Sequence, residues 1–133
     1  MGNPSQLITK QEAIQLCANY KNLRSNVVSA AIGFDDANAI WYSLEELENY
    51  IAYVKSEAAT KNYVVDGIRL YLGVYPKDTN LGNKSEKTTI FLTPTGRKEI
   101  DNDIVLTSSA DISDIAPMNF GTMGHPPIIN YPY

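Results

Sequence analysis

The chain has 133 residues, 11 Lys and Arg against 15 Asp and Glu, a net charge of −4, one Cys and one His. That length suits one domain with a core large enough to need no covalent staple. The single Cys excludes a disulfide framework, the lone His excludes multi-histidine metal chemistry, and the acidic balance argues against a sequence-independent grip on nucleic acid.

The first eight residues show neither a basic-then-apolar leader nor a myristoylation pattern, because Gln6 stands where Ser or Thr is required. They are expected to be disordered. No apolar run approaches the length that crosses a bilayer, so the expected setting is cytoplasmic, without membrane contact.

Thr9-Lys10-Gln11-Glu12 is a capping box, and Ile14, Leu16, Cys17, Tyr20 and Leu23 follow it at helical spacing. Val27 to Phe34 is short, rich in β-formers and closed by Asp35-Asp36, which predicts a strand. Ser43-Leu44-Glu45-Glu46 is a second capping box. Behind it Leu44, Leu47, Ile51, Val54 and Ala58 form one apolar stripe, so a helix is expected over 43–60 with Leu47 and Ile51 facing the sheet. From Val64 to Tyr75 the chain alternates. Ile68, Leu70, Leu72 and Val74 supply a core face, and Arg69, Tyr71, Gly73 and Tyr75 the opposite one. A turn-rich loop from Pro76 to Lys84 leads into a last strand, Thr88 to Thr93.

The order α-β-α-β-β predicts a two-layer α+β domain. Its sheet is small and mixed, with a parallel crossover, an antiparallel hairpin and two helices on one face. The expected boundaries are 9–107 for the domain and 108–133 for an irregular, Pro-rich tail packed on it or leaving it. Charge is spread unevenly: 63–100 carries a net +2, whereas 101–133 carries four acids and no Lys or Arg.

Within the alternating strand, Val65-Asp66-Gly67-Ile68-Arg69-Leu70-Tyr71-Leu72-Gly73 resembles a group of small bacterial proteins of unknown function. Those proteins share a Gly-(Val/Ile)-Arg-x-Tyr-x-Gly strand. The resemblance implies the same element order over roughly residues 9–125 and a Pro-rich end, and it brings no activity, cofactor or catalytic residue. Members often carry cysteines in that end, where this chain has Ala116-Pro117-Met118-Asn119-Phe120.

The sequence contains no P-loop, dinucleotide fingerprint or nucleophile elbow, so no cofactor is expected. Cys17 on an apolar stripe reads as a small core hydrophobe rather than the partner of His125. Asp101-Asn102-Asp103 opens like a calcium loop, but Leu106 and Ile112 stand where Gly and Glu are required, which leaves a solvated turn. Asp35-Asp36 reads as a polar turn before the next element.

The binding candidates are Arg69, Tyr71 and Tyr75, because Tyr and Arg concentrate binding energy at interfaces, together with His125 in the tail. Either the tail covers this face or a partner uses it. The expected function is a binding module for a protein or peptide. The alternatives are a small-molecule site or unrecognised enzyme pocket between sheet and tail, and a structural subunit of a homo-oligomer.

Overall fold

A computed structural model describes residues 2–100, 103–104, 109–123 and 130–132. The chain forms two compact units, 1–40 with 123–133, and 41–122.

In the first unit, α1 (Lys10–Tyr20) starts at the expected capping box. The Thr9 hydroxyl accepts from the Glu12 amide at 3.1 Å, and the Thr9 amide donates to the Glu12 carboxylate at 2.8 Å. The helix does not stop at Tyr20. It passes through a π-helical turn, Lys21–Ser25, into α2 (Asn26–Ile32), which Gly33 ends in the left-handed conformation at φ 84°. The strand expected over Val27–Phe34 is therefore a helix. Extending an existing helix adds a hydrogen bond for each residue ordered, which outweighs the few tenths of a kcal/mol that Val27 and Val28 cost. Val27 is exposed, as are Leu16 and Leu23 of the stripe expected to be buried.

Losing that strand removes the parallel crossover. The sheet is antiparallel rather than mixed, and the α+β class holds. Two-residue strands β1 (Ile40–Trp41) and β6 (Thr122–Met123) lie at the unit boundaries.

In the second unit, α3 (Leu44–Lys61) again begins at its capping box, Ser43 with Glu46, and ends at Asn62 in the left-handed region. Its buried face is Tyr50, Val54 and Ala58, with Leu47 packed alongside. Ile51, expected to face the sheet, is largely exposed. The face turns toward Tyr50 because this ring finds partners for its polar end. The hydroxyl reaches the carbonyls of Leu92 at 3.1 Å and Ala116 at 3.0 Å, so the whole side chain can be buried.

β2 (Tyr63–Val74) pairs with β3 (Thr88–Ile100) through a loop containing a 3-10 turn, Thr79–Lys84. β3 runs well past Thr93, its expected end. Pro94 lacks an amide, but its carbonyl still accepts from Ile112 at 2.9 Å. Gly96 is required by close approach, since a Cβ there would meet the Val64 carbonyl oxygen at 2.1 Å.

The far side of β3 is lined by β4 (Asp103–Ile104), β5 (Ala110–Asp111) and Met118, which exchanges backbone bonds of 2.8 and 2.9 Å with Leu92. The segment after Ser109 thus supplies Ile112 and Ile115 to the core beside Tyr50, Val54, Ala58 and Leu92.

β2 is the edge of this sheet, and its burial departs from the expected alternation. The register shifts between Val65 and Gly67, so Asp66 is an extra residue and Tyr63 and Val65 share the core face with Ile68. Beyond Ile68 none of the described residues covers that face: Leu70, Leu72 and Val74 are 60%, 76% and 69% exposed. Of the aliphatic row expected to be core, Ile68 alone is packed against it, and the other three are open to solvent.

Candidate functional site

The opposite face of β2 and β3 brings together three of the four sequence candidates. Arg69, Tyr71 and Tyr75 alternate along β2, and the antiparallel register sets Thr93 and Phe91 beside the first two. His125 lies outside the described residues, as do Asp101 and Asn102 of the acidic turn.

The C-terminal segment engages all three. Arg69 Nη1 donates to Asp111 Oδ1 at 2.5 Å and Nη2 to the Ser109 carbonyl at 2.8 Å, while the Tyr71 hydroxyl donates to Asp111 Oδ2. The Tyr71 hydroxyl, and after it the Asp111 charge, hold the Arg69 guanidinium above its ordinary pKa. Asp66, the bulge residue, secures the same segment by accepting from the Ser109 amide at 2.8 Å and from Thr95 Oγ1 at 2.6 Å. The Thr95 bond leads in lowering the Asp66 pKa.

Further along, the Tyr75 hydroxyl donates to Asn119 Oδ1 at 2.7 Å. Asn119 Nδ2 in turn donates to Thr89 Oγ1 at 3.2 Å and the Ile90 carbonyl at 2.6 Å. Tyr75 is buried, and its ring stacks on the exposed Phe120 at 5.9 Å. Tyr71 stacks on Phe91 at 5.1 Å.

Between these two anchorages Ile112 and Met118 bond to β3, and the segment leaves a hollow only beside Tyr75. A groove of about 370 Å³ opens there, walled by Gly73, Tyr75 and Phe91 on one side and Pro117, Met118 and Asn119 on the other. Its lining is mostly apolar, and its polar atoms on Tyr75, Thr89 and Asn119 bond to one another. No acid, base or thiol is among its lining residues. Among the described residues no cluster of three or more His, Cys, Asp and Glu is set to hold a metal, and no helix is long and apolar enough to cross a membrane. Cys17 is half-buried and lines a separate hollow of about 310 Å³ in the first unit.

Sequence reasoning found the β2 side of this site and missed Phe91, Asp111 and Asn119. A signal existed for Asp111 in the net +2 of 63–100 facing the acids of 101–133. Which acid meets Arg69 depends on how β5 registers against β3. No known protein family, curated protein or solved structure matches the chain.

Proposed function

We propose that this protein is a non-catalytic binding module that takes an apolar side chain of a protein or peptide partner into the groove beside Tyr75 and Phe91. One observation carries this reading. The groove is in the size range of ligand sites, yet its polar groups already satisfy one another, so it offers apolar contact and few bonds to orient a free molecule. A peptide brings its own orientation through the rest of its chain. Its volume favours a second reading, a small apolar molecule held between sheet and C-terminal segment. The Gly67–Gly73 motif supports membership of the small bacterial group, and the lone thiol supports a reducing, cytoplasmic setting.

The test uses Gly73, where an added Cβ would lie 3.9 Å from Phe91 and Thr89, an ordinary contact. Gly73→Ala therefore adds a methyl group to the groove floor without displacing its neighbours. Peptides selected from a random display library on the parent protein should lose at least about tenfold affinity on the variant, the scale of one apolar group lost from a pocket. Equal binding to both would remove the groove from the reading, and a library with no binder would remove the module.

A further inference from the structure

β2 carries a second surface, independent of the groove. Along an antiparallel strand, alternate residues turn both backbone groups toward one neighbour or the other. The Tyr75 amide donates to the Lys87 carbonyl, so the odd-numbered residues from Gly67 to Tyr75 point their backbone at β3. Leu92 confirms the phase from the other side: it lies opposite Leu70, and both its bonds go to Met118. The residues left pointing outward are Ile68, Leu70, Leu72 and Val74. No strand among the described residues pairs with them.

These outward backbone groups belong to the same residues as the exposed aliphatic row. An edge of that kind is normally blunted by charge, proline or a bulge. Here such devices stand only at the ends, the bulge at Asp66 and the amide-less Pro76. The open stretch between them, Gly67 to Tyr75, contains one charge, Arg69, already paired with Asp111.

We infer that the occupant of this edge is a second copy of the chain, added antiparallel about a two-fold axis through Tyr71. Tyr71 is the midpoint of the open stretch, and centring the pairing there uses every outward group. Leu70 lies opposite Leu72 of the partner subunit, and Ile68 lies opposite Val74 of the partner subunit. Each of these pairs exchanges both backbone bonds. On the same face the aliphatic side chains meet only aliphatic ones. On the other face Tyr71 meets Tyr71 of the partner subunit, and Arg69 lies opposite Gly73 of the partner subunit, where no side chain competes for space. The two arginines stay apart, each with its own carboxylate. Shifting the centre by half a residue would set outward groups against inward ones, and shifting it by a whole residue would carry Val74 onto the bulge at Asp66 or Ile68 onto the amide-less Pro76. The sequence is self-complementary in this one arrangement.

A nine-residue strand spans about 30 Å, which makes the interface small and the association concentration-dependent. Light scattering on the full chain should give a mass near the 14.7 kDa monomer when dilute and approach twice that toward about 1 mM. Leu70→Lys with Leu72→Lys, both at exposed positions, should hold the mass at the monomer value with an unchanged circular dichroism spectrum. Register is read separately in a Cys17→Ser background. Tyr71→Cys, at a non-hydrogen-bonded pair on the axis, should oxidise to a disulfide dimer, because the Cα atoms would stand about 4.5 Å apart. Arg69→Cys, whose symmetry mate is four residues along, should not. A parent chain that stays monomeric at about 1 mM, a dimer that survives both lysines, or equal cross-linking of the two cysteine variants would each overturn the inference.

Discussion

Arg69 and Asp111 are 42 residues apart in the chain and 2.5 Å apart in space, with both side chains more than one-third exposed. The pair ties the C-terminal segment to the outer face of β2 at its rim, where water and salt reach it. Its effect is local, because an exposed ion pair adds little to global stability.

Asp111→Asn should therefore leave the melting temperature nearly unchanged while speeding amide exchange severalfold at residues 109–111. Exchange monitored by mass spectrometry is the check. A large fall in melting temperature would mean that this pair, rather than Ile112 and Ile115, anchors the segment.

Tyr50 is the polar member of the core. Tyr50→Phe removes its bonds to the Leu92 and Ala116 carbonyls but keeps its packing, and should cost about 1 kcal/mol in urea unfolding. Burial first, then the charge that Tyr53 would carry, pushes its pKa up to about 12. The folded value lies above the unfolded one, so its contribution is fully present below the ordinary tyrosine value near 10 and is lost as pH rises through about 12. The parent should lose stability across that window more steeply than Tyr50→Phe. Parallel alkaline profiles would contradict a buried hydroxyl.

Two aliphatic residues of α3, Val54 and Ile51, separate the observed face from the expected one. Val54 is 1% exposed and Ile51 44%. Val54→Ala should cost about 2 kcal/mol through lost transfer energy and a cavity, and Ile51→Ala under about 1 kcal/mol despite removing more atoms. The order of the two urea midpoints decides it. Ile51 as the costlier site would restore the face read from periodicity.

What was legible in the sequence was local. Thr9-x-x-Glu12 and Ser43-x-x-Glu46 place two helix starts to the residue, because a cap is a bond between groups three positions apart. The β2–β3 hairpin follows from two alternating runs around a turn-rich loop. Arg69, Tyr71 and Tyr75 stand on one face because the period of a strand is two. Tertiary structure decided everything that depends on a neighbour distant in the chain. Val27 and Val28 are helical because a helix already growing from Thr9 reaches them, and their own preference is too small to stop it. The aliphatic row of β2 is core only as far as Ile68, because α3 and Ile112–Ile115 cover the sheet over β3 and leave the edge open. Alternation shows that a strand has two faces. Which of them is buried is set by what the rest of the chain lays on top.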